Sequence, residues 1–231
     1  MPFEISLILW LLILLIPLTA QINVKLTFSK YKKVMSKSGL TADKAAKQIL
    51  DGAGLGLVKV KQIGGKLTDR YEPDNDTIKL SDSVYGDPSV ASIGVAAHEC
   101  GHAIQYAENY APIIVRSKLV PVTSFCSKSW YYVVLVGAMM SRYQVGTHIM
   151  TVGVLLFTVL VLFQMATLPV EIDASKRALK VIESRGILDD EELRAAKKVL
   201  TAAALTYVAS LLSGILQLIR LILMSQNRRR R

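Results

Sequence analysis

The residues best suited to chemistry are His98, Glu99 and His102, the fixed positions of an HExxH pattern within VAAHECGHAIQ at 95–105. Four residues apart on a helix, the two imidazoles share one face and can converge on a single metal ion. Glu99 sits beside the first histidine and can take the proton of a metal-activated water, then pass it to the leaving amine of a peptide bond. Cys100 points away from the shared face, and Gly101 leaves room beside the metal for a substrate or a neighbouring helix. Three fixed positions recur by chance in many chains. Here, however, they hold two of only three histidines, and the flanks are small and apolar (Gly94 to Ala97, then Ala103 and Ile104), as in a buried helix.

A catalytic zinc usually takes three protein ligands and keeps one position open. No third histidine follows the motif; Gln105 and Glu108 stand at the later positions, and Glu108 lies off the shared face. His148 falls at the far end of an apolar hairpin and is excluded. The best remaining source is LPVEIDAS at 168–175, where Glu171 is expected to be the third ligand and Asp173 to orient a metal-bound histidine from behind. The competing explanation for the two acids is a helix N-terminus, which favours negative charge.

The elements that must position these groups belong to a membrane protein. Of 231 residues 52% are hydrophobic, and the excess over a soluble domain is concentrated in long apolar runs. Residues 5–20 form the first run. It lacks the positive flank of a signal peptide, so it reads as an uncleaved anchor. Lys25, Lys30, Lys32, Lys33 and Lys37 follow it directly and place the next loop in the cytoplasm. Residues 21–118 then form a polar, catalytic region. A helix is expected over 41–50 with Thr41 as N-cap, strands over 57–63, 66–71 and 77–80, a turn at 73–76, and a helix from Asp87-Pro88-Ser89 through the motif to about Ala107. A transmembrane hairpin over 119–168, interrupted by Lys128 and linked by eight residues, returns the chain to the side it left. Residues 169–198 thereby share a side with His98. Pro169 is expected to end the third run and Glu171 to begin the next helix.

Residues 199–231 form an apolar helix with a basic tail, Arg228 to Arg231. Thr206, Ser210, Ser213, Gln217 and Arg220 fall on one face. The length of the run favours a fourth span with that stripe facing the bundle; the tail favours a helix lying in the interface. The net charge of +10 fits a face near anionic lipid. Nucleic-acid binding is disfavoured, because no basic stretch is interleaved with aromatics. Cys100 and Cys126 read as reduced, buried residues.

Several segments together resemble the YugP-like family of membrane zinc metallopeptidases: KLTDRYEPDNDTIKLSDSVYGDPSVASIGVAAHECGHAIQYAENYAP, VRSKLVPV, LFQMATLPVEIDASKRAL and AAKKVLTAAALTYVAS. The resemblance covers about residues 37 to 224. It implies one Zn2+ ion held by His98, His102 and Glu171, with Glu99 as general base. Arg70 stands where the family pattern has a histidine. A looser similarity to gluzincin peptidases places a third Glu four residues before an Asp, whereas Glu171 precedes Asp173 by two.

The expected fold is a mostly α integral membrane protein with a small α+β, gluzincin-like core of about three strands plus the HExxH helix. The similarity also suggests that an edge strand, 77–80, pairs with an extended substrate, and that Tyr71 or Tyr207 donates to an oxyanion. Interfacial packing is the plainer role for both tyrosines. The expected function is a zinc endopeptidase of the plasma membrane with its active site on the cytoplasmic side and protein or peptide substrates, serving membrane-protein quality control or peptide processing. A non-catalytic zinc-binding scaffold is the alternative, and a transport component, resting on Lys128 and the polar stripe, is a third.

Overall fold

The computed structural model describes residues 3–140 and 142–229. Six α-helices and three strands follow in the order α1 (Phe3–Tyr31), α2 (Ala42–Gly52), β1 (Lys59–Ile63), β2 (Arg70–Glu72), β3 (Thr77–Ser81), α3 (Val90–Ala107), α4 (Ala111–Met139), α5 (Gln144–Ser184) and α6 (Asp190–Arg229) among the described residues. They divide between two compact units. The first holds residues up to Ala20, Val115–Leu168 and those from Thr206 onward; the second holds Gln21–Ile114 and Pro169–Leu205.

Among the described residues, four helices are long and apolar enough to cross a membrane: Ser6–Tyr31, Ala111–Met139, Gln144–Ser184 and Asp190–Gln226. Within the first unit the polar stripe of α6 turns inward. Ser213 Oγ donates to the Ile13 carbonyl of α1 at 2.8 Å, while Leu212, Ile215 and Ile219 on the other side are exposed. That arrangement suits a helix with lipid on one side and a neighbouring helix on the other. Of the Arg228–Arg231 tail, the last two residues lie outside those described.

Three expectations need correction. α5 does not stop at Pro169 but runs unbroken to Ser184. Proline removes one N–H from the ladder, yet Val170, Ala174, Ala178 and Ile182, at steps of four, are all buried, and packing of that stripe outweighs one lost bond. The hairpin link is also shorter than eight residues, because α5 already begins at Gln144; hydropathy marks where a helix becomes apolar, not where it starts. Finally, 77–80 is not an edge strand. The sheet order is β1-β3-β2, with β3 parallel to β1 (Val60 beside Ile78) and antiparallel to β2 (Tyr71 beside Ile78). Ile78 and Leu80 are fully buried, as befits a central strand. β2 is shorter than expected because Gly64, Gly65 and a left-handed Leu67 (φ 54°) keep the chain before Arg70 irregular.

The core of the second unit lies between α2, the sheet and α3. Ala42, Ala45, Ala46, Ile49 and Leu50 of α2 are buried, as are Ile93, Ala96, Ala97 and Cys100 of α3. α3 begins as the sequence suggests: Ser89 Oγ accepts from Ser92 N at 3.2 Å and caps it. Thr41 is the N-cap residue of α2, but its hydroxyl makes no cap bond. α5 closes on a Schellman turn: Ile187 N donates to Ile182 O and Gly186 N to Glu183 O, with Gly186 at φ 59°.

Candidate metal centre

The centre is built where α3 and the later part of α5 lie backbone to backbone. Gly101 makes that approach possible: a Cβ there would stand 2.5 Å from the Ala174 carbonyl oxygen and 3.1 Å from Ala174 Cα. Of the two uses that the sequence allows for Gly101, the structure takes the neighbouring helix. Ala174 lies between Glu171 and Ser175 on α5, so the close approach brings both side chains against the histidine face of α3.

His98 Nε2 lies 3.3 Å from Glu171 Oε2, and His102 Nε2 lies 3.5 Å from the same oxygen. One ligand atom from each of the three residues falls within 4.8 Å of the others. Donors bound at 2.0–2.1 Å in a tetrahedron stand about 3.4 Å apart, so two of the three edges already have the dimension that zinc requires. The donor set, two imidazoles and a carboxylate, is a catalytic-type set that leaves a fourth position open.

Each ring is held through its other nitrogen. His98 Nδ1 is 3.1 Å from Ser175 Oγ, and His102 Nδ1 is 3.0 Å from Gln105 Oε1. The second contact fixes a tautomer. Gln105 Nε2 faces two acceptors, the Val170 carbonyl at 2.9 Å and Asp173 Oδ2 at 2.7 Å. The amide nitrogen must therefore point that way, and its oxygen is left to accept from His102 Nδ1–H. The Nε2 lone pair then faces Glu171. Asp173 in turn accepts from Arg177 Nε, and Arg177 also holds Glu108. Asp173 thus reaches His102 only through Gln105, which the sequence reading passed over. Ser175 was missed too. Both were within reach of helical spacing: Gln105 is three residues from His102, and Ser175 is four from Glu171.

Glu99 is buried beside this group. Its Oε2 accepts from the backbone N–H of Tyr71 on β2 at 2.9 Å. Burial pushes its carboxyl above the ordinary value; the two imidazoles oppose that shift, and the charges of Glu171 and Asp69 reinforce it. For His102, burial acts downward, but the hydrogen bond to Glu171 and the charge of Glu99 prevail and raise it above 6.5. Asp69 is raised by burial against two hydrogen bonds from Ser81.

The hydroxyl of Tyr71 donates to Asp76 Oδ1 at 2.8 Å, so it is committed within its own hairpin. Tyr207 belongs to the first unit and is not among the residues that the second unit gathers. Cys100 is fully buried; its thiol is directed at the Ala46 carbonyl of α2 and is no part of the group.

A family model described as "Putative neutral zinc metallopeptidase" matches residues 6–226. The chain belongs to this family. A protein of Bacillus subtilis (strain 168) named "Putative membrane protease YugP" is 40% identical over 210 residues, which cover 91% of this chain and 92% of that protein. No solved structure matches the chain. Family membership makes this a chain of the zinc peptidase kind, and zinc is the metal its description implies. The residues present fit that ion in donor type, spacing and outer hydrogen bonding.

Proposed function

We propose that the protein is a membrane-embedded zinc endopeptidase in which His98, His102 and Glu171 hold the metal and Glu99 is the general base. The observation that carries this reading is the convergence of two Nε2 atoms and one carboxylate oxygen, drawn from two helices, beside a buried glutamate. A zinc ion held there would supply Lewis-acid activation of a water and of the scissile carbonyl.

The chain's own residues do the rest. Gln105 and Ser175 hold the imidazoles with Nε2 toward the metal position. The Tyr71 N–H engages Glu99 Oε2, and no described group donates to Oε1, which leaves that oxygen to take the water's proton. A carboxyl raised by burial is a stronger base once ionised and a competent acid when it returns the proton to the leaving amine. β2, rather than β3, presents the open edge of the sheet. The Tyr71 N–H on that edge is taken by Glu99, and the Tyr71 carbonyl, which shares the edge by strand geometry, is left to accept from an extended peptide next to Glu99. This is the sense in which the core is gluzincin-like.

Read as four spans, the chain would carry residues 21–114 and 169–205 on one side of the membrane, and the lysines after α1 support the cytoplasm as that side. Substrates are then membrane proteins or peptides reached at the cytoplasmic surface, in quality control or peptide processing. The deciding experiment measures zinc per chain and peptide cleavage in detergent-purified protein. Wild type should hold about one zinc. Glu171→Ala should lose most of it, and Glu99→Gln should keep it while cleavage disappears. Full cleavage by Glu99→Gln would end the proposal.

A further inference from the structure

A second cluster of chemistry lies away from the metal centre, in a cleft of about 620 Å³ between the later part of α1 and the start of α6. Four cations line it: Lys30 from α1, and Arg194, Lys197 and Lys198 from α6. No carboxylate is among its described lining residues, and none of the four forms an ion pair with a described residue. Lys30 Nζ and Lys198 Nζ both sit over the ring of Tyr31, at 5.4 and 5.9 Å from its centroid. One aromatic ring therefore engages an ammonium group from each wall of the cleft. Like charges held together without a counter-charge are a receptor for an anion.

The lining is graded. Along α6 the cations at 194, 197 and 198 give way to Thr201 and then to Ala202 and Leu205; along α1, Lys30 gives way to Thr27. Beyond Leu205, α6 continues without a break into apolar sequence; on α1, Asn23 also lines the cleft, and the helix passes Lys25 and Gln21 before its apolar run. Lys198 and Thr201 stand about 10 and 6 Å along the helix axis from Leu205. Headgroup depth plus the reach of a lysine side chain spans that distance.

We propose that this cleft binds a phosphate ester, and that its source is the headgroup of an anionic glycerophospholipid. The cations and the threonine hydroxyls meet the phosphate oxygens, and Ala202 and Leu205 at the apolar end of the cleft meet the start of the acyl chains. The proposal rests on reading these helices as membrane spans and is independent of the zinc chemistry.

The test uses the full-length protein in detergent, with native mass spectrometry of bound phosphatidylglycerol against phosphatidylcholine. Wild type is compared with Lys197→Gln/Lys198→Gln and with Lys59→Gln/Lys61→Gln, which removes the same charge from β1. All four lysines are exposed, so neither pair disturbs the core. Each cleft lysine should be worth about fivefold in phosphatidylglycerol affinity, and the pair close to thirtyfold. The β1 pair should change it less than about threefold, and zinc content should stay that of wild type in both. Equal loss in the two pairs, or loss in neither, overturns the cleft. Displacement of the lipid by inorganic phosphate or glycerol phosphate at equal concentration overturns the lipid as source and assigns a soluble phosphate ester. Should the α6 pair lose zinc as well, Arg194→Gln alone decides: unchanged phosphatidylglycerol affinity at normal zinc content refutes the proposal.

Discussion

Replacing Gln105 with methionine is the sharpest test of how the metal centre is held. The side chain is fully buried, so a residue of similar length keeps the packing and removes only the polar contacts. Three bonds disappear: to His102 Nδ1, to the Val170 carbonyl and to Asp173 Oδ2. Asp173 keeps Arg177, and Val170 O is a helix carbonyl with its own ladder partner. The full penalty of an unmade bond thus falls on His102 Nδ1–H, about 1–3 kcal/mol. Loss of such an outer partner weakens metal binding by about 10–100-fold. Competition with a fluorescent chelator should show zinc affinity falling by that factor. Activity at limiting zinc should fall in parallel and return when zinc is raised. Asp173→Asn leaves an oxygen to accept from Gln105 and weakens only the charge relation with Arg177, so its effect should be severalfold smaller. A Gln105→Met protein that binds zinc within twofold of wild type, or an Asp173→Asn protein that is worse, would refute the argument that Gln105 fixes the His102 tautomer.

Gly101→Ala should destabilise the protein by about 1–3 kcal/mol and lower zinc affinity together, because the new methyl meets backbone at Ala174 rather than a movable side chain; thermal melting and zinc titration measure both. In chelator-treated protein, His102 is held above 6.5. A raised folded value contributes stability that is complete below about 6.5 and is lost as pH climbs through the folded value. The melting temperature of the zinc-free form should therefore fall with rising pH across this window, by an amount that His102→Gln abolishes. With zinc present the slope should reverse, since the ion binds only neutral imidazole. Glu99→Gln should retain the metal and lose catalysis by about 10²–10⁴-fold, the usual yield of a positioned base.

The motif helix was legible because everything that defines it is local. Ser89 caps it, small apolar residues line its buried face, and the histidine spacing is fixed by the helical repeat. Glu171 could be placed near the histidines because it follows the third apolar run directly, where the hairpin returns the chain to the side it left. What sequence could not supply were the relations that packing decides. Pro169 looks like a terminator until Val170, Ala174, Ala178 and Ile182 are seen to be buried on one stripe. β3 looks like any short alternating strand, and its central place depends on β1 joining it in parallel across a connection. The role of Gln105 needed the orientation of its amide, which Val170 and Asp173 dictate from another helix.

That dependence on distant partners has a consequence for assembly. The contacts that complete the centre, His98 with Ser175 and Gln105 with Asp173, span 77 and 68 residues of chain. The intervening segment includes α4 and the apolar part of α5. α3 can form early from local contacts with α2 and the sheet, and Glu99 and His102 then already have Tyr71 N–H and Gln105, but His98 lacks Ser175, Gln105 lacks its two acceptors on α5, and both Nε2 atoms lack Glu171. Covering those groups without the bonds that α5 supplies would be costly. The cost is relieved only when the hairpin has brought α5 back and Gly101 has let the two backbones meet. The metal centre is therefore expected to form last, and zinc binding should report completion of the whole chain. A protein truncated after Ala111 should fold α2, the sheet and α3 yet bind zinc no more tightly than a His98→Ala full-length chain. Tight zinc binding by the truncated protein would show that α5 is dispensable, and would remove Glu171 from the site.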